Sequence, residues 1–368
     1  MDRRQFIIST AAVSLATGLP RTAFADDTFA PRPGAWRSVD LVTRLEIVKP
    51  EGKMQAWIPL PSVNETEWSR PGDTRWTGNA AKVERVRDPK YGAEMLHVTW
   101  KDDEFIPAIE VTSRVAMRDR AIDLDRPGKV APLSDTKRKL NLEGTDLIPV
   151  DGIVKQTSDK VITEAKAATD IEKARAIYEW VVENTVRTAA TRGCGTGDVA
   201  AMLKSGNLGG KCADLNALYV GLARAAGLPA RDVYGLRVLP SQFGYKSLGA
   251  GSANVTRAQH CRAEVWLDGF GWVPVDPADV RKVMLEEPPA NLTLDNPKVV
   301  AARKALFGAW EGNWVAYNTA HDVALPGAKH PKLGFLMYPQ AERAALLLDC
   351  LDPDNFRYAL IATPASAT

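Results

Sequence analysis

The chain has 368 residues, 45% of them hydrophobic and 25% charged, with a formal net charge of +2 at pH 7. That length exceeds one ordinary core and calls for two or three packed units, while the balanced charge, with no basic stripe to neutralise phosphates, excludes nucleic acid as a partner. Four cysteines, Cys194, Cys212, Cys261 and Cys350, are too few and too widely spaced for a disulfide framework.

The N-terminus carries Arg3-Arg4 and Phe6, then a weakly apolar run to Leu19 and an A-x-A-like site at Ala23-Phe24-Ala25. Residues 1–25 read as an export signal, resembling the twin-arginine type, with an ordinary secretory signal as the alternative. Gly18-Leu19-Pro20 would interrupt a helix of the mature fold. Removing the segment leaves basic and acidic residues in equal number, and no later apolar run approaches the eighteen or so residues that cross a bilayer. The expected address is the periplasm or the medium. If Cys212 stays a thiol, the other three cysteines allow one bridge and one spare, and export in the folded state would put folding before oxidation.

Residues 26–135 are expected to form a small β-sandwich. Leu41, Leu45 and Ile47 alternate with Asp40, Arg44 and Glu46, as Ile109, Val111, Val115 and Met117 do with Glu110, Thr112, Arg114 and Arg118, and the turn 88–92 precedes Leu96, Val98 and Trp100 on one face. Residues 119–151 look like a connector. Within 136–281, Thr169 and Glu172 make a capping-box pattern ahead of Ile171, Ala174, Ile177, Tyr178 and Val181 at helical spacing. A second helix, with Leu215, Leu218, Tyr219, Leu222, Ala223 and Ala226 on its core face, follows Gly209-Gly210 and closes at Gly227 and Pro229. Strands are expected at 232–239, 261–267 and 272–275, the last two joined by a hairpin turn at 268–271. Residues 240–256, rich in Gly and Ser, read as a mobile loop. The segment 282–368 shows periodicity only at 333–338 and 358–363 and is taken as an extension packing on the core.

Cys212 opens the second helix, where unpaired N–H groups and the dipole lower a thiol pKa and can face a developing oxyanion. Alone, such a cysteine is more often a small packed residue. His260 begins one strand and Asp276 ends its neighbour, which suits a base and the carboxylate that orients it. A simple register puts Asp276 opposite Ala263 or Glu264, roughly 10 to 13 Å from His260 at strand rise, so strong twist or a bulge near Pro277 would be required. Asp276-Pro277 could also simply end a strand in a turn. Residues 206–211 fail as a phosphate loop, since Ser205 and Cys212 stand where glycine and Ser or Thr belong. Cys194, Cys212, His260 and Cys261 lack zinc-ligand spacing, and no acidic loop fits calcium. His321-Asp322 reads as structural, and Trp266 and Trp272 as core or cleft wall.

Gly209-Gly210-Lys211-Cys212-Ala213-Asp214-Leu215, continuing through Leu222-Ala223-Arg224-Ala225-Ala226-Gly227-Leu228-Pro229-Ala230-Arg231, resembles the transglutaminase-like core of bacterial proteins. The His260 strand and the Gly271-Trp272 to Asp276-Pro277 ending match the same family, over residues 171–279, and Trp57-Ile58-Pro59-Leu60-Pro61 fits its frequent N-terminal β-domain. The resemblance implies an α+β, papain-like fold with a cysteine-bearing helix against an antiparallel sheet. It also implies catalytic places for Cys212, His260 and Asp276, no cofactor, and a protein or peptide amide as substrate, drawn from the cell envelope by location alone. Acyl transfer through a thioester would then end in transamidation or hydrolysis. Asn207 is a second oxyanion donor by proximity in sequence only. The contrasting expectation is a non-catalytic envelope module that binds peptide or glycan on the same fold.

Overall fold

The computed structural model describes residues 28–365, so the segment read as an export signal lies outside the described residues. Strand Arg37–Ile47 buries every second residue from Val39 onward, as its alternation requires. It pairs antiparallel with Ala108–Met117 on one edge and with the distant Phe356–Ala365 on the other, and Ser69–Gly78 completes the sheet. A second sheet sets Met54–Pro59 between Glu94–Thr99 and Gln340–Arg343, with Lys82–Arg87 and Leu346–Leu347 outermost. Leu45, Ile109 and Val111 from the first sheet meet Ile58, Leu96 and Val98 from the second in one apolar layer. Two sheets sharing such a layer are a sandwich.

The segment 282–368 is not one extension laid on the core. Trp314–Asn318 joins the core sheet, while Gln340–Arg343 and Phe356–Ala365 finish the two N-terminal sheets. Without them, Met54–Pro59 and Arg37–Ile47 would each present a bare edge of unpaired N–H and C=O groups.

The core sheet runs, in order, Gly271–Val275, Gln259–Leu267, Ala230–Arg237 and Trp314–Asn318, all antiparallel. Helix Cys212–Ala225 lies on it, backed by helices Gly152–Ala165 and Asp170–Asn184, the latter opened by the Thr169–Glu172 capping box. The apolar spacing predicted one core-facing side, yet all fourteen residues of the cysteine helix are buried. Its two charged residues bond to backbone groups: Arg224 donates to Ala230 O and Glu143 O, and Asp214 accepts from three backbone N–H groups. Gly227, at φ +82°, takes the left-handed turn that ends the helix.

Residues 240–256 are tied down rather than loose. Tyr245 and Leu248 are buried, Arg237 donates to Leu248 O, and the Ser247 N–H and hydroxyl both bond Glu287.

Candidate active site

Cys212 is the first residue of its helix, and Asp214 shapes the approach to it. The Asp214 carboxylate accepts from the N–H groups of Thr196, Gly197 and Lys211, each at 2.9 Å. Those bonds stitch the loop carrying Cys194 to the helix start, where Ala213 N–H donates to Cys194 O at 3.0 Å. A Cβ at Gly195 or Gly210 would overlap Asp214, so glycine is what lets both backbones close on that carboxylate. Cys212 N–H has no partner among the described residues and can meet a developing oxyanion.

His260 and Asp276 meet without a bulge. Ala263 pairs with Val275, the last residue of its strand, so Asp276 falls one place further along than the simple register predicted and shares the parity of Arg262 and His260. There the chain leaves the sheet and Asp276 caps helix Pro277–Glu286, its Oδ1 accepting from Asp279 N–H at 3.0 Å. Its Oδ2 lies 2.7 Å from His260 Nε2. The strand-ending turn and the orienting carboxylate are therefore one side chain. With Nε2 directed at Asp276, Nδ1 is the ring nitrogen left for sulfur.

Several partners were invisible in the sequence. Asn216 donates to Cys261 O and to Asp276 Oδ1, and Trp314 Nε1 donates to His260 O. Asp279 lies 3.4 Å from His260 Nε2 and is itself paired with buried Arg237 at 2.5 Å. An Asp-Pro-x-Asp run announces a capped helix start, which was the one available signal for Asp279.

The electrostatics favour an ion pair. Hydrogen bonds with Cys194 and then Cys261 hold the Cys212 thiol well below the ordinary cysteine range against its burial, and His260 adds its own bond and charge. Burial and Arg237 press the His260 pKa down, but Asp279, Asp276 and the hydrogen bond to Asp276 outweigh them and raise it to about 9. Burial, then Asp279, raises Asp276, whereas Arg237 holds Asp279 well below the carboxylate range despite burial. Passing a proton from sulfur to imidazole creates two opposite buried charges, and their mutual attraction together with the carboxylates facing His260 offsets the cost of burying them.

Cys212, His260 and Cys194 open on a cavity of about 640 Å³ that is also lined by Tyr338, Phe356 and Tyr358. Asn207 is elsewhere: it is exposed and its Oδ1 accepts from Gly209 N–H, within its own loop. Trp266 and Trp272 stack edge to face at 5.6 Å and are not among the cleft-lining residues. His321 is buried against Tyr234, away from that lining. All four cysteines are free thiols. The residues weighed for zinc do come near one another, since Cys194, Cys261 and His260 are all close enough to Cys212 to shift its thiol. Among the described residues, however, the group whose ligand atoms all lie within 4.8 Å of one another is His260, Asp276 and Asp279. Arg237 and Arg262 already face those carboxylates, so cationic charge there is supplied by the protein.

A helix-borne cysteine set against a sheet that carries histidine and aspartate, in an α+β frame, defines a papain-like core. Residues 155–277 match the family model of the transglutaminase-like superfamily. An uncharacterised protein of Haemophilus influenzae is 38% identical over 323 residues, covering 84% of this chain and 85% of that one. The solved structure of a candidate cysteine protease from Cytophaga hutchinsonii superposes with a TM-score of 0.56 at 13% identity, over 91% of this chain and 93% of its own. At that identity the likeness speaks to fold alone. The chain belongs to the transglutaminase-like superfamily, and family and fold together support a cysteine-dependent enzyme.

Proposed function

We propose that this protein is an exported acyl-transfer enzyme acting on protein glutamine or peptide amides through a Cys212 thioester. The Cys212 thiolate attacks the amide carbonyl, the Cys212 N–H steadies the oxyanion, and the His260 imidazolium gives its proton to the departing amine or ammonia. Asp276 keeps the imidazole oriented and favours its charged form. An amine or water then takes the acyl group, and neutral His260 removes the incoming proton. The observation that carries this reading is the 2.7 Å His260–Asp276 contact beside a thiol of lowered pKa at a cleft. The N-terminal Arg3-Arg4 segment supports export, and hence a periplasmic or secreted enzyme working on envelope amides.

The test is to incubate protein lacking residues 1–25 with a glutamine-bearing casein and a fluorescent amine, following incorporation and ammonia together. Incorporation marks transamidation, and ammonia alone marks hydrolysis. Neither product from a protein that still binds the casein would leave the binding-module alternative.

A further inference from the structure

The cleft is electrically one-sided. Arg187, Arg192, Lys211, Arg237, Arg257 and Lys282 all line it, and among the described residues no aspartate or glutamate does. Some of that charge is answered from behind the wall. Arg237 pairs with Asp279 at 2.5 Å, Arg187 with Glu286 at 2.5 Å, and Arg192 with Asp349 at 2.6 Å, while Lys282 shares Glu286 at 3.7 Å. Lys211 and Arg257 have no side-chain partner among the described residues. Burial, and after it Arg237, push the Lys282 ammonium down to about 8.

The catalytic group does not account for this surplus. Thiolate, imidazolium, Asp276, Asp279, Arg237 and Arg262 already sum to neutrality. The two unpaired cations also bracket the chemistry: Lys211 directly precedes Cys212 on the helix side, and Arg257 stands three residues before His260 on the strand side. A cleft walled by protein focuses such a field on whatever enters it.

We infer that the cleft selects an anionic substrate, an amide flanked within a residue or so by a free carboxylate that docks on Lys211 and Arg257. The inference rests on the acyl-transfer reading and gives it a substrate class. Amides of peptide origin meet such a carboxylate in two ways, as the side chain of a neighbouring Glu or Asp or as the peptide's own C-terminal group. Both present the same bidentate acceptor to a guanidinium.

The experiment is alkylation of Cys212 in the whole protein by iodoacetate and by iodoacetamide, which place the same carbon on sulfur, lose the same iodide and differ in charge. The readout is the ratio of their second-order rates at neutral pH, in low and in roughly 1 M salt, for wild type and for Lys211→Gln/Arg257→Gln. The expected wild-type ratio is about tenfold above that of the double variant, and it collapses in high salt, where the Debye length falls to about 3 Å. A wild-type ratio equal to that of the variant overturns the substrate class and leaves the acyl-transfer reading standing. Failure of both reagents to label Cys212 overturns the two together.

Capped glutamine peptides then separate the sources by ammonia release. A Gln-Glu peptide with both ends blocked leads if side chains are read, and an uncharged peptide with a free C-terminus leads if chain ends are read. A blocked Gln-Lys peptide turning over fastest refutes the proposal.

Discussion

His260 and His321 are both buried beside an aspartate, 2.7 Å from Asp276 in one case and 3.6 Å from Asp232 in the other. Burial acts on each in the same direction, yet they end in opposite states. His260 rises to about 9 because two carboxylates face it and Arg237 keeps one of them, Asp279, ionised. His321 is driven well below its ordinary value by burial, with Arg224 and Lys90 adding to the effect, and burial lifts its partner Asp232 to about 7. A lone buried His–Asp pair relaxes toward neutrality, and a charged one persists when a fixed guanidinium holds a second carboxylate in place.

The sharpest way to break that contrast is to remove each imidazole in turn. His260→Gln should cut amine incorporation or ammonia release by a factor on the order of 10⁴, and His321→Gln by less than about threefold. Equal losses would mean that the two pairs do one job. Exchanging the aspartates is next in size. Asp276→Asn keeps a helix-capping oxygen but loses the charge, so turnover should fall about 10²-fold with little change in melting temperature.

Asp232→Asn should instead show itself in stability. A carboxyl whose folded pKa is raised from 3.8 to about 7 costs the fold progressively more as pH climbs between those values, so the variant's advantage over wild type should grow by on the order of 2 kcal/mol from pH 5 to pH 8 in denaturant melts. A flat difference would refute the neutral-acid assignment. For His260 the sign reverses. Its folded pKa lies above the ordinary 6.5, so its contribution to stability is complete below about 6.5 and is lost as pH rises through about 9. Turnover should decline about tenfold per pH unit above 9 as the imidazolium disappears, while alkylation of Cys212 stays high. Asn207→Ala, the smallest change, should alter turnover less than about twofold, because Asn207 bonds only its own loop.

Much of this was readable from local pattern. Alternation in 37–47 and 108–117 marked the sandwich strands, and the motifs around Cys212, His260 and Asp276 named the three residues that meet. The means by which Asp276 reaches His260 was not readable, because it depends on where a strand stops and on the backbone turn of a cap. Arg237, Asp279 and the cationic cleft wall come from segments far apart in sequence, and no spacing rule connects Arg187 to Arg257. Residues 358–363 read as periodic, but nothing local says that the strand they belong to, Phe356–Ala365, pairs with Arg37–Ile47. The buried polar residues of the cysteine helix also escaped a reading based on apolar periodicity, since Asp214 and Asn216 sit at positions that pattern assigns to solvent.

The strand Phe356–Ala365 does more than close a sheet. Its Phe356 and Tyr358 help wall the cleft, and its backbone holds the neighbouring loop through Val255 N–H to Leu360 O and Ala362 N–H to Ala253 O, both 2.8 Å. On the ribosome, thiol, imidazole and carboxylate therefore emerge well before this part of the cleft wall, and the cleft takes its final shape only when the last strand docks.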